Sequence, residues 1–129
     1  MMHALLVYGT LLRGEPNHRM MKGARFVRRA RTEPRFTLID LGPFPALLEG
    51  GETPVSGEVY EVSEEHLARL DLFEGVPRLY RRIALRLDGG GGVDGYVQGG
   101  TPRRSGAVIV SGDWRGYRKE LGHANSIAE

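Results

Sequence analysis

The abundance of glycine constrains the fold of this chain more than any other feature, because 19 of its 129 residues are glycines set between short β-prone runs. Glycine adopts the backbone conformations that tight turns need, so this pattern is typical of a compact sheet protein with many short connections. The chain is long enough to bury one substantial core but too short for two ordinary ones. We therefore expect residues 1–129 to form a single domain.

The hydrophobic pattern predicts five strand segments and two or three short helices. The strand segments are residues 3–8, 24–41 with a bend at Pro34, 55–62, 79–87 and 95–98. The helices start near Pro16, at Ser63 and at Ser111 or Asp113, and the last of them runs to Glu120. Residues 42–45 and 89–92 are predicted turns. Such a mixture favours an α+β fold whose sheet is mostly antiparallel and curls into a small β-barrel with a few short flanking helices.

Glu74 is the first candidate functional residue, because it lies on the apolar face of the second predicted helix. Ser63 is a suitable N-cap, and Leu67, Leu70 and Glu74 follow at the spacing of one helix face. Gly75 ends the helix directly afterwards, which places Glu74 at the negative end of the dipole. Burial and that dipole would both raise its pKa, as suits proton transfer at neutral pH. A glutamate in the last turn that reaches solvent is the competing interpretation.

The segment that follows the first predicted strand is the second candidate. It consists of Tyr8, Gly9, Thr10, Leu11 and Leu12. Glycine lets a ligand approach the backbone, and successive loop N–H groups can surround a carboxylate or phosphate. An ordinary turn after a strand explains the same residues. Asn17 and His18 either shape this loop or make surface and capping hydrogen bonds.

Several kinds of site are not predicted. The chain has no cysteine, so it has no disulfide, thiol nucleophile or zinc-thiolate centre. The four histidines, His3, His18, His66 and His123, lack the spacing of a metal site, and no serine lies in a nucleophile elbow. We expect no metal.

Charge and hydropathy predict the cellular location of the chain and the kinds of partner that it binds. The net charge is +2, and part of the excess lies on a predicted strand, at Arg25, Arg28, Arg29, Arg31 and Arg35. No stacking platform accompanies these arginines, so a solvated strand face is expected rather than a nucleic-acid partner. No run approaches the ~20 apolar residues of a membrane span, and no signal peptide is recognised. We expect a cytoplasmic protein without a membrane partner, with a monomer as the prior oligomeric state.

Four separate motifs, in order and at consistent spacing, make the chain resemble the gamma-glutamylcyclotransferase-like family, in the branch of the gamma-glutamylamine and butirosin-biosynthesis cyclotransferases. The motifs are residues 7–11 followed by Gly14, Asn17 and His18; residues 57–62; residues 70–75 followed by residues 80–82; and residues 111–114. The resemblance covers nearly the whole chain.

This resemblance implies a small β-barrel with a pocket at one side and one essential glutamate, which matches Glu74. The implied reaction needs no cofactor: the α-amine of a γ-glutamyl compound attacks its own γ-carbonyl, and 5-oxoproline and a free amine are released. Glu74 would act as base and then as acid. The substrate-binding residues would be Tyr8, Gly9, Thr10, Leu11, Leu12 and Tyr80. The leaving amine is not specified, and a non-catalytic module that binds a small molecule in the same pocket is the alternative.

Overall fold

The computed structural model describes residues 1–100 and 104–128 of the chain. Its strands are β1 (Met2–Val7), β2 (Arg25–Arg31), β3 (Phe36–Asp40), β4 (Pro45–Glu49), β5 (Ser56–Ser63), β6 (Tyr80–Arg86), β7 (Gly92–Gln98) and β8 (Ala107–Val108). A short 3₁₀ helix (His18–Met21), α1 (Glu64–Glu74) and α2 (Trp114–Ala128) complete the described elements.

The strands form two sheets. The larger sheet has the order β2-β5-β1-β7-β6, and the smaller one has the order β4-β3-β8. The pairing of β1 with β7 is parallel, and the other strand pairs are antiparallel. Strand β1 lies in the middle of the larger sheet, and Leu5 and Leu6 are fully buried because both faces of this strand are covered. The predicted α+β class and mostly antiparallel pairing are confirmed.

The predicted barrel is not confirmed, since neither sheet closes on itself within the described residues. The outer strands β2 and β6 approach each other at one end, where Thr32 and Leu87 form an isolated bridge. Glu33 N–H also donates to the Arg86 carbonyl over 3.0 Å. The pairing stops there because the chain turns away toward Pro34, which has no N–H to extend a ladder.

Two strands were missing from the prediction, and two helices have different bounds. Strand β4 begins at Pro45, which was assigned to a turn, but a proline is tolerated at the first position of a strand. Strand β8 has only two residues, too few to show a pattern. The helix expected near Pro16 begins two residues later, at His18, and the last helix continues beyond Glu120 to Ala128.

Helix α1 forms as the sequence predicts. The Ser63 hydroxyl accepts a hydrogen bond from His66 N–H over 3.0 Å, and Gly75 ends the helix with a φ of 68°, in the left-handed region. Leu67 and Leu70 are buried in the same hydrophobic cluster as the centre of β1. This packing holds the last turn of α1 close to the end of β1. None of the helices in the described ranges is long and apolar enough to cross a lipid bilayer.

Candidate functional site

A cavity of about 310 Å³ opens where β1 and α1 end and where β4 and β6 begin. It is lined by seven of the residues that the sequence analysis singled out: Tyr8, Gly9, Thr10, Leu11, Asn17, Glu74 and Tyr80. The other lining residues were not predicted to bind a ligand: Leu6, Val7, Phe44, Pro45, Phe73, Leu79, Tyr96 and Arg104. The fold therefore brings the first loop and the end of α1 to one place.

Glu74 is the one acidic residue among the described residues that line this cavity. Its side chain is half-buried, and within residues 1–100 and 104–122 its carboxylate accepts no hydrogen bond from the protein. Burial raises its pKa to about 7, and the nearby positive charge of Arg104 opposes that rise. At neutral pH such a carboxylate is ready both to take up a proton and to give one away.

The loop after β1 offers free backbone donors to the cavity. Leu12 N–H donates to the Gly9 carbonyl over 3.1 Å, and Asn17 N–H donates to the Thr10 carbonyl over 3.0 Å, so the loop is a closed turn. The N–H groups of Gly9, Thr10 and Leu11 have no acceptor in the described part of the chain. Three neighbouring N–H groups of this kind can hold an anionic group.

Side chains from the following turn fix this loop. The Asn17 amide donates to the Thr10 hydroxyl over 3.0 Å, and His18 Nδ1 lies 2.8 Å from the Leu11 carbonyl. Gly9 is required for a different reason, since a Cβ atom there would lie 2.7 Å from Pro45 Cγ. Asn17 and His18 thus have the loop-shaping position that the sequence analysis considered for them.

Leu12 and Arg81 are not part of the cavity. The Leu12 side chain is buried beneath the loop and lines a separate cleft, and its N–H is used within the turn. Leu12 is therefore removed from the residues expected to bind a ligand. Arg81, which follows Tyr80 in the third motif, does not line the cavity and pairs with Glu49 at the surface.

Three tyrosines form the walls around Glu74. Tyr8 OH donates to the Tyr96 carbonyl over 2.6 Å, Tyr80 OH donates to the Pro45 carbonyl over 2.7 Å, and Tyr96 OH donates to Asp71 Oδ1 over 2.7 Å. Burial raises the pKa of each hydroxyl. The Tyr8 and Tyr80 hydroxyl protons are already donated to backbone carbonyls, so these residues are rigid, neutral walls rather than partners of Glu74.

Arg104 and Tyr96 are the main lining residues that the sequence analysis missed. Arg104 Nη2 donates to the Leu79 carbonyl over 2.6 Å, and its guanidinium lies 5.0 Å from the centre of the Tyr80 ring. No motif or helical spacing identifies an arginine in a polar, glycine-rich segment. Tyr96 could have been recognised as an inward-facing residue of β7, but its neighbours there depend on the pairing of distant strands.

Comparison with known proteins now identifies the family. A family model described as gamma-glutamyl cyclotransferase, AIG2-like, matches residues 5–116, which include every residue that lines the cavity. The chain belongs to this family. The resemblance inferred from the four motifs is confirmed.

Two named relatives and one solved structure are consistent with membership of this family. A Rattus norvegicus protein named gamma-glutamylaminecyclotransferase is 41% identical over 108 residues, 73% of this chain and 72% of the relative. A Niallia circulans protein named gamma-L-glutamyl-butirosin B gamma-glutamyl cyclotransferase is 37% identical over 135 residues, 97% of this chain and 82% of the relative. The crystal structure of an uncharacterized Pyrococcus horikoshii protein has a TM-score of 0.77 at 31% identity, and covers 94% of this chain and 97% of that one.

A second glutamate, Glu58, is buried outside the cavity. Glu58 on β5 is 2% exposed. It accepts hydrogen bonds from Arg13 N–H over 3.0 Å, from Tyr60 OH over 2.9 Å and from Arg115 Nη2 over 3.0 Å. Burial alone would raise the pKa of Glu58, but these three donors outweigh it and lower the pKa. Because Arg13 directly follows the first loop, Glu58 ties that loop to β5 and to α2.

Proposed function

We propose that the chain is a γ-glutamyl cyclotransferase, which converts a γ-glutamyl compound into 5-oxoproline and a free amine. Membership of the family supports an activity of this type. The names of the rat and Niallia circulans relatives support γ-glutamyl substrates whose leaving group is an amine. The observation that carries the proposal is Glu74, a half-buried carboxylate that has a raised pKa and faces a cavity beside free backbone donors.

The raised pKa of Glu74 answers the main chemical difficulty of the reaction. The α-amine of the substrate has a pKa near ~8, and it cannot attack a carbonyl until it has lost a proton. An ordinary glutamate, near ~4.3, is weaker than this amine by roughly 3 to 4 units, or about 4 to 5 kcal/mol. With a pKa of about 7, Glu74 removes most of that difference.

The reaction needs Glu74 twice. The carboxylate first takes a proton from the α-ammonium group, and the amine nitrogen then forms a bond to the γ-carbonyl carbon and closes a five-membered ring. Protonated Glu74 next gives its proton to the leaving nitrogen, and its carboxylate takes a second proton from the ring nitrogen as the bond between the leaving nitrogen and the same carbon breaks. That second proton then passes from Glu74 to the released amine, which restores the carboxylate. Of the three ammonium protons, one stays on the lactam nitrogen and two end on the leaving amine, so protons and charge balance.

The loop after β1 would hold the substrate in a position suited to ring closure. The N–H groups of Gly9, Thr10 and Leu11 would hold the α-carboxylate of the glutamyl group, while Tyr8 and Tyr80 form the walls of the cavity. A γ-glutamyl chain held at one end and confined by rigid rings is restricted to conformers close to ring closure. Restriction of this kind supplies a large part of the rate in intramolecular reactions.

The test is a direct search for product. Purified protein is incubated with γ-glutamyl dipeptides, γ-glutamyl amines and γ-glutamyl-ε-lysine, and 5-oxoproline is detected by mass spectrometry. We expect product from at least one substrate, a rate that rises as the pH passes about 7, and a loss of about 10³-fold in Glu74→Gln. Glu65→Gln, an exposed position on the same helix, is the matched control and should keep its rate.

Two results would contradict the proposal. Near-normal turnover by Glu74→Gln would remove the role of this carboxylate. Binding of a γ-glutamyl compound by folded protein without any product would indicate a non-catalytic module that uses the same cavity.

A further inference from the structure

We propose that Arg104 determines the leaving group, and that the preferred substrates are those whose leaving amine carries a carboxylate next to the departing nitrogen, as in γ-glutamyl amino acids. This inference rests on the proposed cyclotransferase function. It concerns the half of the substrate that the family motifs do not reach, because Arg104 lies outside all four motifs.

Arg104 is held firmly by the protein. Its backbone N–H donates to Gln98 Oε1 over 2.7 Å, and its Nη2 donates to the Leu79 carbonyl over 2.6 Å. The guanidinium also lies 5.9 Å from the centre of the Phe44 ring, in addition to its contact with Tyr80. A positive charge fixed on two aromatic rings and a carbonyl is already oriented before a ligand arrives, so little side-chain entropy is lost on binding.

The charge of Arg104 is not neutralised by a neighbouring carboxylate. It is the one cation among the described residues that line the cavity, and no acidic side chain in residues 1–100 and 104–128 forms an ion pair with it. Its Nε is buried without a hydrogen-bond acceptor, so the donor left for a ligand is Nη1, which makes no hydrogen bond to the part of the chain that the structure describes. A guanidinium with unused donors is suited to a carboxylate, which it binds in a planar, charge-assisted arrangement.

The position of Arg104 points to the leaving half of the substrate. The guanidinium donates a hydrogen bond to the Leu79 carbonyl, and Leu79 and Phe73, which line the cavity and are 44% and 40% exposed, mark its mouth. The glutamyl half has to lie deeper, between Glu74 and the loop donors of Gly9 to Leu11. A group attached to the departing nitrogen therefore extends toward the mouth and meets Arg104.

The sign of the charge sets the selectivity. A carboxylate on the leaving amine gains a charge-assisted contact, worth about 10- to 100-fold in affinity or kcat/KM. A polyamine or an amino sugar carries further positive charges. These charges are repelled by the Arg104 guanidinium, which is partly shielded from water, so such leaving amines are disfavoured.

A matched pair of substrates tests this inference. γ-Glutamyl-alanine and γ-glutamyl-ethylamine differ only in the carboxylate on the leaving amine. We expect wild-type protein to prefer the alanine compound by about 10- to 100-fold in kcat/KM. In Arg104→Gln that ratio should fall to about 1, whereas Arg104→Lys should keep part of it. Arg81→Gln, which removes a surface arginine outside the cavity, should keep the wild-type ratio.

Binding separates this inference from the proposed reaction. Isothermal titration of Glu74→Gln, with and without Arg104→Gln, measures the same ratio in the absence of chemistry. The cyclotransferase proposal fails if no member of the wider substrate panel yields 5-oxoproline, and the binding ratio of these two compounds still decides the role of Arg104. Equal binding of the two compounds in the presence of Arg104 overturns the inference. A preference that survives Arg104→Gln, or a loss of the same size for both compounds, overturns it as well.

Discussion

Glu58 and Glu74 are both withdrawn from bulk water, but they differ in what surrounds their carboxylates. Glu58 is almost completely buried and accepts three hydrogen bonds, one of them from the charged Arg115. Glu74 is less deeply buried, yet it accepts none in the described part of the chain, and the nearest cation acts on it only through space. The pKa is lowered in the first case and raised to about 7 in the second.

The difference shows that the number of hydrogen bonds donated to a carboxylate, more than its depth of burial, decides whether the carboxylate is structural or reactive in this fold. A carboxylate with three donors is stabilised in its charged form, so it has little tendency to bind a proton. A carboxylate that is desolvated without donors binds a proton readily at neutral pH. The predictions below change one side of this comparison at a time.

Removal of the charge of Glu58 should have the largest effect on stability. Glu58→Gln keeps the size of the side chain but leaves Arg115 without its counter-charge and one of the three donors poorly matched. We expect a loss of about 3 kcal/mol in the free energy of unfolding, measured by urea denaturation. Glu61→Gln, on the same strand, is the control: its carboxylate pairs with Arg25 at the surface, and its unfolding midpoint should hardly change.

The comparison would fail if Glu58→Gln unfolded at the wild-type midpoint. It would also fail if Glu58→Gln lost as much turnover as Glu74→Gln in protein shown to be folded. The first result would mean that the three hydrogen bonds do not stabilise the fold, and the second that Glu58 takes part in the chemistry.

Glu74→Gln should have the opposite effect on stability, and the effect should grow as the pH rises from about 4.5 to 7. The folded chain holds the Glu74 proton more tightly than the unfolded chain does, so the free energy of unfolding of wild type falls as the pH rises from about 4.5 to 7. Glutamine does not ionise, so the stability of Glu74→Gln does not include the cost of a buried carboxylate charge. We expect Glu74→Gln to exceed wild type by about 2 kcal/mol at pH 8, and to match it below about pH 4.5. Urea titrations at several pH values measure this, and an equal difference at all pH values would contradict it.

Tyr96→Phe should have the smallest effect. Asp71 lies one turn before Glu74 on α1, and it keeps two contacts with Arg82, of 2.9 and 3.1 Å, when the Tyr96 hydroxyl is removed. We expect a loss of about 1 kcal/mol in the free energy of unfolding and a change in kcat below tenfold. A loss of turnover as large as that of Glu74→Gln would show that Asp71 or Tyr96 takes part in the chemistry.

The sequence predicted the parts of the site that depend on local signals. The Ser63 cap, the apolar face of α1 and the ending at Gly75 are encoded within thirteen consecutive residues, and they were enough to single out Glu74. The loop after β1 was likewise predicted from adjacent residues. Local reasoning extended these predictions one residue too far, to Leu12, because the use of its N–H within the turn cannot be read from composition.

The remaining features depend on contacts between distant segments. Tyr96 and Arg104 reach the cavity because β7 pairs in parallel with β1 and because a carbonyl of residue 79 fixes the arginine. Neither contact leaves a periodic pattern in the sequence. The open sheet has a similar origin, since closure depends on whether β2 and β6 stay paired beyond a single bridge, which strand propensity alone does not decide.

The contact between Gly9 and Pro45 has a practical consequence for anyone who engineers this pocket. A Cβ atom at position 9 would collide with the Pro45 ring, while the Pro45 carbonyl anchors the Tyr80 hydroxyl. A mutagenesis library that varies residue 9 alone would therefore push the loop away from its partner wall in nearly every member. Randomising positions 9 and 45 together gives such a library room to exchange bulk across the contact, because any residue at position 45 still presents the carbonyl that Tyr80 needs.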